Sequence, residues 1–227
     1  MNNSQRIIDK LFSEYPAFHG ENGGHNWTIG REVLEWIAAN VNPNENTLET
    51  GCGYSTIVFA ASGANHTTIS PISQEHLKLK TWGEANNVSF EKICFHADRS
   101  ENVLPYIQIS PIKLALIDGW HAFPGPILDW FFVCNKIENS GYVIVDDTQI
   151  RACALLRDFL ESEKGRWRKV GCYGRSEVFQ KMTDDLFVGD WLSQPFNLQL
   201  RKADSKLVTV AKKIPFLKEL YNCLRGR

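Results

Sequence analysis

Two stretches of this chain, Lys113-Leu114-Ala115-Leu116-Ile117 and Gly141-Tyr142-Val143-Ile144-Val145, are apolar with no alternation. A strand with one face in water alternates polar and apolar side chains, whereas a strand covered on both faces does not. Such strands belong in the middle of a sheet flanked by helices. The rest of the chain supplies the partners. Strands are predicted at 47–49, 66–70 and 92–96, and helices at 55–61, about 73–85, 127–137 and about 149–160. Strand and helix thus alternate as βαβ units do. Two further strands, 167–172 and 177–182, flank the turn Tyr173-Gly174-Arg175-Ser176 as a hairpin and add an antiparallel strand. The expected class is α/β, with a mostly parallel sheet and helices on both faces.

The ends of the chain are organised differently. Residues 3–14 and 29–41 read as two amphipathic helices, the second capped by Thr28, with a loop rich in Gly, Asn and His between them. Residues 184–227 depart from the βαβ pattern. Their last part is basic: Arg201, Lys202, Lys206, Lys212, Lys213, Lys218, Arg225 and Arg227 stand against Asp204 and Glu219. The expected organisation is therefore 1–45 as N-terminal helices and a lid loop, 46–183 as the core, and 184–227 as an extension. The chain has 227 residues, of which 43% are hydrophobic, enough to bury one sizeable core. A net charge of −1 gives no global drive toward nucleic acid or an anionic membrane, so no nucleic-acid partner is expected. Six cysteines without a C-x-x-C pair, and a polar N-terminus without a signal-peptide stretch, fit a reduced, cytoplasmic protein with no transmembrane segment.

Chemistry concentrates where a parallel sheet binds ligands, outside the carboxyl ends of its strands. Those ends carry Glu49, Ser70, Asp98, Asp118 and the pair Asp146-Asp147. Acids crowded on one rim repel each other, and a cation or cationic ligand relieves the repulsion. The first strand enters Glu49-Thr50-Gly51-Cys52-Gly53-Tyr54-Ser55, an E-x-G-x-G-x-S loop. Its glycines permit a tight turn and let a ligand approach the backbone, and Ser55 with the helix N-terminus suits a carboxylate. The third glycine of a nicotinamide fingerprint is replaced by Thr56.

The loop, the Asp98 strand end, Ile117-Asp118-Gly119 and Val145-Asp146-Asp147-Thr148 resemble class I S-adenosylmethionine (SAM)-dependent methyltransferases over residues 28–182. The likeness is greatest to the branch holding catechol, sugar and macrolide O-methyltransferases. The resemblance implies a Rossmann-like, seven-stranded sheet whose last strand is antiparallel, with SAM as cofactor. It places Glu49, Gly51, Gly53, Tyr54, Ser55 and Ser70 around the cofactor, Asp98 near the adenine and Asp118 near the sulfonium. In metal-dependent members the positions of Asp118, Asp146 and Asp147 bind Mg²⁺, and the general base falls on His121. A small-molecule acceptor, a sugar or natural-product hydroxyl, and a homodimer are implied as partners.

One position departs from the family. The second strand ends in Ser70-Pro71 where an acid usually grips the ribose hydroxyls. Ser70 offers one hydrogen bond and Glu75 is within sequence reach, but the departure predicts weaker SAM binding or another cofactor pose. Other roles stay open for the site residues. Asp118 can touch SAM without a metal, Asp146 and Asp147 can cap the next helix, and His121 can hold a loop carbonyl. A binding or scaffold protein that kept the fold without turnover is the alternative function.

Overall fold

The computed structural model of the chain describes residues 3–20, 27–109, 111–186 and 190–198. The chain forms two compact units, Met1–Leu186 and Phe187–Arg227. Most of the basic extension lies outside the described residues. In the second unit, 190–198 form a turn and a short helical segment. No helix among the described residues is long and apolar enough to cross a membrane.

Helix α1 (Asn3–Glu14) buries Ser4, Ile7, Ile8 and Leu11, one stripe at helical spacing. Helix α2 (Arg31–Asn40) follows, with Gly30 rather than Thr28 at its N-cap and no side-chain cap. The expected Thr28 cap is therefore wrong. That residue's carbonyl instead accepts a hydrogen bond from Arg175 Nη2 at 3.0 Å, a partner 147 residues away that local pattern does not reveal. The unit then runs β1 (Asn46–Thr50), α3 (Tyr54–Ala61), β2 (Asn65–Ile69), α4 (Ser73–Ala85), β3 (Ile93–His96), α5 (Ser100–Val103) and β4 (Ile112–Ile117). It closes with α6 (Gly125–Val133), β5 (Ile137–Val145), α7 (Arg151–Ser162), β6 (Trp167–Tyr173) and β7 (Ser176–Lys181).

The seven strands form one sheet in the order β3-β2-β1-β4-β5-β7-β6. Strands β1 to β5 pair in parallel, and β7 runs antiparallel to both β5 and β6. The two apolar runs are the adjacent central strands β4 and β5. Their alternate residues feed two cores. Leu114, Leu116 and Ile144 pack with α1, α2 and α3 on one face, while Ala115, Ile117, Val143 and Val145 pack with α6 and α7 on the other. This two-sided burial explains the missing alternation.

Two local features differ from the sequence pattern. The helix predicted at 127–137 ends at Val133, because Ile137 pairs with Ile112 and opens β5. The one-turn helix α5 is unpredicted; Asp98 precedes it and accepts from Arg99 N and Asn102 Nδ2.

Candidate functional site

Strand order reverses between β1 and β4, the crevice where open α/β sheets bind ligands. A cavity of about 580 Å³ lies there, within the range of small-molecule sites. It is lined by the carboxyl ends of four strands: Thr50-Gly51, Ile69-Ser70, Asp118-Gly119 and Asp146-Asp147.

The glycine loop is built for close approach of backbone to backbone. Gly51 has φ +92°, and a Cβ there would stand 2.3 Å from the Asp118 carbonyl oxygen. A side chain would therefore push the loop off β4. The Gly53 N–H donates to Thr56 Oγ1 at 3.0 Å, fixing the start of α3. Glu49 anchors the loop from behind. Its buried carboxylate accepts from Ser55 Oγ at 2.6 Å and from Thr56 Oγ1, and meets His66 Nε2 at 3.1 Å. His66 is itself held by Thr47 Oγ1 at 2.8 Å and stacked on Phe59. Tyr54 is buried and donates to the Pro16 carbonyl.

At the other end, three side chains converge. His121 Nε2 lies 3.3 Å from Asp118 Oδ1 and 3.6 Å from Asp147 Oδ2, and one ligand atom from each residue fits within a 4.8 Å spread. The two consecutive acids diverge because Asp147 adopts φ +50°, a left-handed conformation that Asp tolerates better than most residues. Asp146 is buried and accepts from Ser176 Oγ. Asp147 accepts from Gln149 Nε2 at 2.7 Å and pairs with Arg175 at 3.1 Å. Burial pushes the Asp118 carboxyl up to about 7, with the nearby Asp146 adding to the rise and the His121 hydrogen bond opposing it. That same hydrogen bond raises His121, against the effect of its burial.

Among the residues singled out in the sequence, Gly51, Ser70, Asp118, His121, Asp146 and Asp147 line the cavity. Glu49, Gly53, Tyr54, Ser55 and Asp98 do not. The first four form the loop's scaffold, and the Asp98 carboxylate is spent at the start of α5, whose Arg99, Ser100 and Glu101 line the cavity instead. Sequence reading missed Arg175 as a site residue, because a turn arginine carries no periodic signal. It also missed Asp129, which is buried beneath Gly119. A lone acid in the apolar helix Gly125-Pro126-Ile127-Leu128-Asp129-Trp130 was the available clue. Exposed Trp27 and Trp120 also face the cavity.

Residues 48–148 match a family profile described as "Methyltransferase domain". No curated protein matches the chain in sequence. Among solved structures, the chain is similar to the O-methyltransferase NovP, at 13% identity and a TM-score of 0.63 over 79% of this chain and 98% of that one. It is also similar to the O-methyltransferase TomG from Streptomyces achromogenes, solved with SAM, at 12% identity and a TM-score of 0.56 over 81% and 91%. An rRNA methylase from Streptococcus thermophilus is likewise similar, at 13% identity and a TM-score of 0.54 over 69% and 99%. At such identities the likeness is one of fold, and these structures differ in acceptor. The strand order and the antiparallel β7, with the profile match over residues 48–148, give the chain the Rossmann-like methyltransferase fold of these structures.

Proposed function

We propose that this chain is a SAM-dependent O-methyltransferase acting on a hydroxyl of a small molecule. The observation that carries the reading is the meeting of Asp118 and His121 at the same cavity as the Gly51 turn. SAM is cationic at its sulfonium, which matches the acidic end of the cavity. When bound, SAM supplies the methyl group. The chain's residues do the rest.

Methyl transfer is an in-line displacement, so much of the rate comes from holding acceptor and donor in register. Trp27 and Trp120 offer flat apolar surface on which the body of an acceptor can lie. With its Nε2–H turned to the carboxylates of Asp118 and Asp147, His121 takes the acceptor's hydroxyl proton at Nδ1, and those carboxylates stabilise the imidazolium that results. Because Asp118 raises His121, the neutral base builds up above the ordinary histidine value of 6.5. The donor set suits a hard divalent cation: Asp118 and Asp147 would hold Mg²⁺, with Asp146 behind them. Mg²⁺ there would lower the acceptor's pKa.

The test is calorimetric titration with SAM and S-adenosylhomocysteine, in Mg²⁺ and then in EDTA. Micromolar binding of both is expected, with a heat that depends on Mg²⁺. An Asp118→Ala variant is expected to lose methyl transfer from labelled SAM. Transfer that survives this substitution removes Asp118 from the machinery. Absence of binding under every condition favours the alternative of a scaffold without turnover, for which Ser70 in place of an acid is the supporting feature.

A further inference from the structure

Ser70 leaves the end of β2 without a carboxylate, yet the cavity wall there is not without one. Glu75, in the first turn of α4, lines the same cavity beside Ser70 and Cys52. Its side chain is 7% exposed. Its backbone N–H donates to the Ile72 carbonyl at 3.0 Å, which fixes the turn that presents it. Pro71 and Ile72 thus carry the chain from the strand end to an acid that sits in a helix instead.

The carboxylate is held in a set orientation. Oε1 lies 3.2 Å from His19 Nδ1, and Oε2 accepts from Cys52 Sγ at 3.6 Å. The Gly20 backbone also hydrogen-bonds to Glu75, and Lys78, one turn further along α4, donates to the Gly20 carbonyl at 2.7 Å. The segment that supplies His19 is therefore fastened to the helix that supplies Glu75. Burial alone would raise this carboxyl, but the hydrogen bonds and charge of His19, with Cys52 and Gly20, outweigh it and hold the group below its ordinary value. Among the described residues, the ion pair of Glu75 is with His19 and not with an arginine or lysine. A carboxylate has about four acceptor positions, so these three contacts leave about one for a ligand hydroxyl.

A buried, oriented and ionised carboxylate beside the carboxyl ends of β1 and β2 is suited to one task in particular. It can accept a hydrogen bond from one hydroxyl while the buried Ser70 hydroxyl in the same cavity wall bonds the next, which together match a vicinal diol. We propose that Glu75, together with Ser70, grips the ribose hydroxyls of the nucleoside cofactor, in place of an acid at the end of β2, with His19 as the positioning residue of Glu75. The inference rests on the SAM reading above. It also gives His19 and Gly20 a role: they set the geometry of the ribose acceptor.

The test uses the full chain, S-adenosylhomocysteine and its 2′,3′-dideoxy analogue, followed by calorimetry. The wild type is expected to prefer the natural compound by about ten- to a hundredfold, the value of hydrogen bonds to a charged acceptor. Glu75→Ala is expected to lose most of that preference. Should that variant fail to fold, Glu75→Gln keeps the shape without the charge, and its preference is expected to fall at least about threefold. His19→Ala is expected to lose part of the preference while retaining the fold, a result that a merely structural histidine would not give. A folded Glu75 variant that keeps the full preference overturns the proposal, as does a wild type that binds both compounds equally well. Either result leaves the SAM reading standing. A wild type that binds neither compound overturns the SAM reading itself.

Discussion

At the scale of single residues, the site is defined by where each acid spends its oxygens. Glu49 spends them on Ser55, Thr56 and His66, all behind the loop. Asp98 spends one on the start of α5, and Asp146 one on Ser176. Asp118 and Asp147 keep oxygens turned toward His121. The chemistry of the rim is therefore set by hydrogen-bond commitments that amino-acid type does not disclose. Gly51 shows the opposite case, a residue whose identity is dictated. Gly51→Ala combines a positive φ with a 2.3 Å approach to the Asp118 carbonyl, so it is expected to cost more than about 1 kcal/mol and to weaken SAM binding with it. Urea unfolding measures the first effect and calorimetric titration the second; an unchanged midpoint and affinity would show that the turn is not needed in this form.

At the scale of elements, the long periodic and apolar segments were legible and the short or long-range ones were not. The central strands and the hairpin could be read because burial on both faces, or a turn between two runs, leaves a trace in a single stretch of sequence. The boundary between α6 and β5 could not, since Ile137 continues the apolar helix pattern and is claimed by Ile112 only in three dimensions. Helix α5 is one turn long and leaves no periodic signal at all. The same holds for the site. Asp118, His121 and Asp147 could be picked out from the ends of two strands, whereas Arg175 reaches the rim from a hairpin that pairs with β5 through β7. The elements are held by interdigitated apolar side chains, so a deletion in the core tests the arrangement. Ile144→Ala removes a fully buried side chain of β5 from the face that packs against α2 and α3. It is expected to cost about 2–5 kcal/mol, read as a lower urea midpoint with an unchanged slope. A loss below about 1 kcal/mol would mean that the face is loosely packed.

At the scale of the whole molecule, stability should depend on pH through groups outside the reactive cluster as well as within it. His76 in α4 is 6% exposed and lies against Phe95, and burial lowers its affinity for a proton. The unfolded chain binds that proton more readily, so stability is complete above the ordinary value of 6.5 and declines as pH falls from there toward the lowered value. His76→Leu is expected to flatten this acid limb in thermal unfolding between about pH 7 and pH 5. An unaltered limb would assign it to other groups. The sheet has a further consequence, one of timing. Among the described strands β7 is the last to be made, and it lies inside the sheet, between β5 and β6. While the chain is being synthesised, the edge of β5 stays bare until residues 176–181 emerge, and β6, made earlier, waits for the same strand before it can join. An open apolar edge is the arrangement most prone to recruit another chain. A translational pause between β5 and β7 would prolong that exposure, and a nascent chain stalled there would be a client for chaperones. The same late hairpin brings Arg175 to Asp147 and to the Thr28 carbonyl, so the acidic rim is completed only when the final strand arrives.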